Sequence, residues 1–235
     1  MRCYRRLPTI KAISFDLDDT LYDNQPILLR AEQAQLNFLQ QQVPQAAATT
    51  TPFWAAKRRQ LFIEQPELCH HIGLCRQQSI GRGLVELGLG ATEAEDFSHQ
   101  AFAVFYHWRN RIELSPQVLT ILEQLANRYP LIALTNGNAS IESVGLSSLF
   151  EFAIAAGDNG LKQKPHSDMF DAAVERLGIQ SNELLHVGDS LTSDIQGALN
   201  AGCPAVWFNP HHQTMTSKSA LPHLDIQDLS ELTGC

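Results

Sequence analysis

Short apolar runs of strand length alternate with stretches of helical stride through the second half of this chain. That alternation limits the available folds more than any other feature. Leu131–Thr135 (LIALT), Phe152–Ala155 (FAIA), Leu184–Val187 (LLHV) and Ala205–Phe208 (AVWF) are strand-sized, and most are followed by turn residues. Between them, Pro116–Arg128 sets Leu119, Leu122 and Leu125 at a helical stride, and Asp168–Leu177 does the same with Phe170, Ala173, Val174 and Leu177. Thr192–Ala201 is a further helical pattern, closed by Gly202. A first strand falls earlier, in Lys11–Leu17 (KAISFDL), with Asp16 at its carboxyl end. Strand and helix in alternation predict βα units and a parallel sheet covered by helices on both faces.

The stretch from Asp23 to Ile112 breaks the alternation just after the first strand. It holds no strand pattern and several helical ones: Pro26–Gln42, with Ile27, Leu28, Ala31, Ala34, Leu36 and Leu39, then segments beginning near Pro52, Pro66 and Thr92. Gln40–Thr51, rich in Gln, Ala and Thr, reads as a solvated inter-helix loop. The expected architecture is α/β: a Rossmann-like core from residues 1–22 and 113–235, with an inserted α-helical domain over 23–112. At 235 residues and 44% hydrophobic, the chain has material for such a core.

The net charge of -8 argues against nucleic-acid or anionic-membrane partners, both of which need a basic face. No segment has the length and apolarity of a membrane span, and MRCYRRLPTIKAISF lacks the apolar stretch of a secretory signal. Cys3, Cys69, Cys75, Cys203 and Cys235 are odd in number and form no CxxC, so reduced thiols in a cytoplasmic protein are expected.

Four segments carry chemistry. In FDLDDTLYD (15–23), carboxylates crowd the end of a buried strand, where like charges repel and lose hydration. A cation removes that objection, and in an extended chain Asp16 and Asp18 share one side, which suits hard oxygen ligation of Mg²⁺. The plainer alternative is a turn or helix cap. In LTNGN (134–138), Thr135 and Asn136 follow a strand, where a hydroxyl and free N–H groups in a strand-to-helix turn would cradle an anion; an N-cap is the alternative. In LKQKPHSDMF (161–170), Pro165 keeps Lys164 extended before a helix, as a fixed cation or a solvated surface lysine. In HVGDSLTSDIQGALNAG (186–202), Asp189 comes directly off a strand and Asp194 begins a helix, whose dipole alone would account for Asp194. All four lie at strand carboxyl ends, where open parallel sheets bind ligands.

At these residues the chain resembles the haloacid dehalogenase-like hydrolase superfamily. DLDDT (16–20) is similar to its DxDxT loop, Thr135 to its second motif, Lys164 to its third, and Gly188-Asp189 with Asp194 to its acidic fourth. The resemblance implies a phosphatase in which Asp16 attacks phosphorus and forms an aspartyl phosphate. It implies that Asp18 protonates the leaving alcohol and then activates water, while Thr135, Asn136 and Lys164 hold the phosphoryl group. It assigns Mg²⁺ to Asp16, the Asp18 carbonyl and Asp189, with Asp194 supporting that shell through water or Lys164. The helical insert would be the family's cap.

MRCYRRLPTIKAISFDLDDTLYDN, TNGN, KPHSDMF and ELLHVGDSLTSD resemble a branch acting on small sugar and nucleotide-like phosphates. These include 5-amino-6-(5-phosphoribitylamino)uracil of the riboflavin pathway; FMN is a second candidate, and the expected assembly is a monomer or weak homodimer. Selectivity would fall to the cap: Tyr22 and Asp23 at its entry, Arg76, and Trp108 with Arg109, since an aromatic can stack on a flat ring and an Arg can bond its carbonyls. The competing reading puts Tyr106 and Trp108 in the cap's own core and leaves Arg76 and Arg109 solvated. His70-His71 and His211-His212 carry no assignment, because adjacent histidines on a helix point apart. A dehalogenase or phosphomutase of the same fold, or a binding protein without catalysis, are the alternatives. The dehalogenase would need neither Mg²⁺ nor Asp18 and Asp189, and the binding protein should have lost an acid that this chain keeps.

Overall fold

The structure is a computed structural model that describes residues 1–217 and 219–234. The chain divides into two compact units: Met1–Asp23 with Glu113–Cys235, and Asn24–Ile112.

The first unit is built on a sheet of seven strands among the described residues: β1 (Arg2–Cys3), β2 (Ala12–Phe15), β3 (Leu131–Thr135), β4 (Phe150–Ala155), β5 (Leu184–Gly188), β6 (Ala205–Phe208) and β7 (Leu224–Ile226), in spatial order β1-β7-β6-β5-β2-β3-β4. Every pair is parallel except β1 with β7. The expected parallel sheet is thus present, with one antiparallel pair added at its edge. β1 and β7 are two and three residues long, too short to leave a periodic signature. The chain runs from β2 through β3 to β4 on one side, then crosses to β5, β6 and β7 on the other, so β2 is the point at which strand order reverses. β2, β3 and β5 are buried along their whole length, the pattern of strands covered on both faces.

Helices α5 (Pro116–Ala126), α6 (Asp168–Leu177) and α7 (Gln196–Asn200) complete this unit. Ser115 caps α5, accepting from the Val118 N–H at 3.2 Å, and Pro116 sits in the first turn, where its missing N–H costs nothing. Gly178 ends α6 at φ 66°, a left-handed backbone that glycine adopts without strain. Phe170, Ala173, Ile195, Ala198 and Trp207 pack with β3, β4 and β5 residues into one core. Two expectations are corrected. The helix expected from Thr192 opens instead as a π-helical turn, Leu191–Ile195, in which the Ser190 carbonyl accepts from both Asp194 N–H (3.0 Å) and Ile195 N–H (3.1 Å). No regular helix follows Thr135: residues 136–149 are bends and turns as far as β4.

The second unit holds α1 (Asn24–Gln42), α2 (Thr51–Glu64), α3 (Ile72–Glu86) and α4 (Ala91–Arg109). α4 packs on α1 and α3, and α2 on α3, around Leu36, Leu39, Trp54, Ile80, Leu84 and Ala101. Gly83 permits the α2–α3 approach, because a Cβ there would lie 2.6 Å from the Trp54 ring. The segment between α1 and α2 is largely exposed, as expected of an inter-helix loop, but three of its residues turn inward. Val43, Ala46 and Thr49 are buried, and Thr49 accepts from Trp54 Nε1 (3.1 Å) and, at its carbonyl, from Gln40 Nε2 (2.8 Å). From Pro66 the chain forms a 3₁₀ turn to His70 before α3 begins at Ile72.

Candidate active site

The register of β5-β2-β3 sets the carboxyl ends of three neighbouring strands side by side. The Asp16 N–H extends that ladder by donating to the Val187 carbonyl at 2.9 Å. Asp16, Thr135 and Gly188-Asp189 therefore emerge at one place, where the strand order reverses.

Lys164 is drawn into it. Its side chain is fully buried, and its ammonium has three acceptors: Asp16 Oδ1 at 2.7 Å, Asp194 Oδ1 at 2.6 Å and the Leu134 carbonyl at 2.6 Å. All three N–H donors of a lysine are thereby used. The backbone of Lys164 is gripped as well. Its N–H donates to Asn136 Oδ1 at 2.8 Å, and its carbonyl accepts from Asn136 Nδ2 at 2.9 Å. The Asn136 carboxamide thus holds the Lys164 backbone, with one amide N–H and one oxygen lone pair beyond these two bonds. The Thr135 hydroxyl accepts from the Gly137 N–H at 2.9 Å, which leaves its own proton to donate elsewhere.

Carboxylate oxygens of Asp16, Asp189 and Asp194 lie within 4.8 Å of one another. Asp194 reaches this group because Gly188 has no side chain; a Cβ there would stand 2.3 Å from Asp194 Cγ. Its Oδ2 accepts from the Ser190 N–H at 2.9 Å. Thr20 Oγ1 donates to Asp189 Oδ1 at 3.4 Å, and Trp207 Nε1 donates to the Asp189 carbonyl at 2.7 Å.

The crowding shows in the protonation equilibria. Burial, helped by the charge of Asp194, raises the Asp16 carboxyl well above the ordinary range, against the pull of Lys164. Burial, with Asp194 and Asp19 beside it, raises Asp189 to about 6. For Asp194 burial works upward too, but Lys164 and His186 outweigh it and hold the carboxylate ionised. Burial opposes the charge on Lys164, yet Asp16 and Asp194 together raise its pKa. Three hard oxygen donors around unrelieved negative charge are the donor set of Mg²⁺, so the residues present fit that ion.

Asp18 stands apart from this cluster. The strand has ended at Phe15, and Asp19 takes a left-handed φ of 60°, so the loop is a turn and not the extended chain expected. The Asp18 carboxylate accepts from the Tyr22 hydroxyl at 2.7 Å, and no carboxylate of Asp18 belongs to the metal-like group. An Asp18 metal ligand would accordingly be its carbonyl. Tyr22, expected as a selectivity residue, is placed here as a hydrogen-bond donor to Asp18.

In the helical unit, the expectation for Arg76 is corrected. Its guanidinium stacks on Phe105 at 3.7 Å and pairs with Glu32 at 3.1 Å, which Arg58 also meets at 3.1 Å, so it is built into that unit's interior. Arg109 is buried as well. Trp108 is half-buried, flanked by the exposed guanidinium groups of Arg30 (5.7 Å) and Arg111 (5.0 Å), neither of which the sequence singled out. Sequence reading also passed over Thr20, although it lies inside DLDDT, and Trp207, whose place beside Asp189 needs the β5-β6 pairing to be known.

The chain matches the haloacid dehalogenase-like hydrolase family over residues 10–202. Over its whole length it is 42% identical to the 5-amino-6-(5-phospho-D-ribitylamino)uracil phosphatase YigB of Escherichia coli (strain K12), of which 99% is covered. It is 28% identical to the N-acylneuraminate-9-phosphatase of Rattus norvegicus, over 96% of this chain and 93% of that one. Among solved structures, a 2-haloacid dehalogenase from Pseudomonas syringae pv. Tomato DC3000 superposes with a TM-score of 0.90 at 34% identity, over 96% of this chain and 97% of that one. The sheet order, the three motifs at the ends of β2, β3 and β5, the Lys164 motif between β4 and α6, and these matches together make the chain a member of the haloacid dehalogenase-like hydrolase family.

Proposed function

We propose that this enzyme is a Mg²⁺-dependent phosphatase of small phosphate monoesters, working through an aspartyl phosphate on Asp16. The observation that carries the reading is the buried Lys164 ammonium, shared between Asp16 and Asp194 beside Asp189. A carboxylate held by a fixed cation, next to a cation-binding acid cluster, suits phosphoryl transfer, which depends on positioning and charge neutralisation.

In the proposed sequence an Asp16 oxygen attacks phosphorus while the bond to the ester oxygen breaks. Asp18 passes a proton to the departing alkoxide. It then takes a proton from the water that attacks the aspartyl phosphate, which returns Asp16 as a carboxylate and releases inorganic phosphate. Tyr22 keeps the Asp18 carboxyl oriented for both transfers. The Thr135 hydroxyl would donate to a phosphoryl oxygen, while the Lys164 ammonium, its three N–H groups already placed, balances phosphoryl charge from beside Asp16. Asp16, the Asp18 carbonyl and Asp189 would hold Mg²⁺, with Asp194 steadying Lys164. Bound there, the ion supplies positive charge against the three carboxylates and the phosphate. The helical unit would act as a cap that excludes water and reads the rest of the ester.

The 42% identity to YigB over the full chain supports 5-amino-6-(5-phospho-D-ribitylamino)uracil as the preferred substrate; FMN is the other candidate, from the sequence resemblance alone. Free thiols at Cys3, Cys69, Cys75 and Cys203 suit a reducing cytoplasm; Cys235 lies outside the described residues. Among the described residues, no helix is long and apolar enough to cross a membrane.

The likeness to a 2-haloacid dehalogenase favours a second reading, carbon–halogen hydrolysis by the same nucleophile. Asp18 and Asp189 weigh against it, because a halide leaves without a proton and needs no cation. The deciding experiment measures phosphate release from a panel holding both candidate substrates, with and without Mg²⁺, beside halide release from 2-haloacids. Halide release without phosphate release would overturn the proposal.

A further inference from the structure

Next to this chemistry lies a buried titratable side chain to which it gives no task. His186 lies inside β5, fully buried, with Phe170 edge-on at 4.9 Å. Covered parallel strands favour Val, Ile or Leu at such positions, and a histidine is tolerated only with both ring nitrogens satisfied. Both are. Nε2 lies 3.3 Å from Asp194 Oδ1, and Nδ1 lies 2.8 Å from Ser14 Oγ. Ser14 is itself fully buried on β2, in register with His186 across the β2–β5 pair.

Chemistry fixes the protons. The Asp194 carboxylate offers only lone pairs, so Nε2 carries the hydrogen and donates. Nδ1 then accepts, and the Ser14 hydroxyl is its donor at 2.8 Å, closer than the Leu185 carbonyl that competes for the same proton at 3.4 Å. Burial above all lowers the imidazole's proton affinity, which suits this neutral form. Donors converge on Asp194 from three sides: His186 and Lys164 on Oδ1, and the Ser190 N–H on Oδ2.

We infer that Ser14 and His186 form a buried hydrogen-bond relay that fixes the rotation of the Asp194 carboxylate, and through it the seat of the Lys164 ammonium against Asp16. Neither residue touches substrate; both are positioning residues. Without the Nε2–H donor, the carboxylate is free to turn about Cβ–Cγ, and the ammonium it holds at 2.6 Å moves with it. The kinetic consequence rests on the phosphatase reading; the hydrogen-bond pattern does not.

His186→Phe keeps the aromatic packing and removes the donor, whereas His186→Gln returns an N–H near the Nε2 position. With p-nitrophenyl phosphate at saturating Mg²⁺, His186→Phe should lower kcat about 10- to 100-fold with KM changed by less than about twofold. His186→Gln should recover most of that loss, and Ser14→Ala should fall between. A long-range ¹H–¹⁵N spectrum of the wild type should show a neutral imidazole protonated at Nε2. A folded His186→Phe with wild-type kcat, or a Gln variant no better than Phe, overturns the relay, as does an Nδ1–H tautomer. Should the Phe variant not fold, Ser14→Ala and the spectrum carry the test. If the wild type hydrolyses no phosphate ester, the functional reading falls and the spectrum alone judges the relay.

Discussion

The Lys164 ammonium lies 2.7 Å from Asp16 Oδ1, joining residues 148 positions apart in the chain. Lys164 is thereby both a structural and a chemical group. It neutralises a buried carboxylate at the end of β2, and it would do the same for a phosphoryl group bound there. Lys164→Met should remove turnover. It should also cost about 3–5 kcal/mol of stability, the usual penalty for stripping the partner from a buried charge. Denaturant unfolding and phosphate release on one preparation check both effects. Asp16→Asn, in contrast, should abolish turnover while the protein stays folded. Wild-type-like activity in pure Asp16→Asn would sink the covalent mechanism.

Asp189 ties the metal to pH. Its folded pKa of about 6 is raised above the ordinary carboxylate value of 3.8, so metal-free protein takes up a proton there on folding between those values. This group's contribution to metal-free stability therefore declines as pH rises from 3.8 through about 6. A cation competes with that proton. Mg²⁺ affinity, followed by calorimetry, should be level above pH 7 and weaken by up to about tenfold per unit below pH 6. Affinity unchanged down to pH 5 would exclude Asp189 as a ligand.

Gly188 is required by its neighbour and not by its own backbone. A Cβ there would meet Asp194 Cγ at 2.3 Å and Cβ at 2.5 Å, so Asp194 must move. Gly188→Ala should lower stability by about 1–3 kcal/mol, the range for overpacking. The activity loss should exceed what unfolding accounts for, because Lys164 moves too. A Gly188→Ala protein with normal kcat would show that the Asp194 position is not needed.

Arg76 and Trp108 should separate in their effects. Arg76→Ala leaves Glu32 and Phe105 without their partner, so it should lower the melting temperature while leaving the ranking of phosphate esters unchanged. Trp108→Ala should change the ratio of kcat/KM on the best metabolite to that on p-nitrophenyl phosphate, with Arg109→Ala as the comparison. An unchanged ratio in both would move selectivity elsewhere, Arg30 and Arg111 being the next residues to replace.

What the sequence determined by itself is local. Strand-length apolar runs placed β2 through β6, and helical stride placed α5 and α6. Asp16, Thr135 and Asp189 stood out because polar groups directly off apolar runs are read within a few residues, and Lys164 because Pro165 follows it. The tertiary structure decided whatever depends on pairing between distant segments. The order β5-β2-β3 brought four separate motifs to one point, and buried a lysine whose local sequence fits a surface position equally well. It turned Arg76 inward and gave the Asn136 carboxamide to Lys164. It opened a π turn at Asp194, where helical spacing alone predicts an ordinary first turn. Ser14 and His186 were passed over for the same reason. A side chain on a covered strand reads as core until the residue opposite is known, and strand register is set by packing over the whole sheet, which no local window contains.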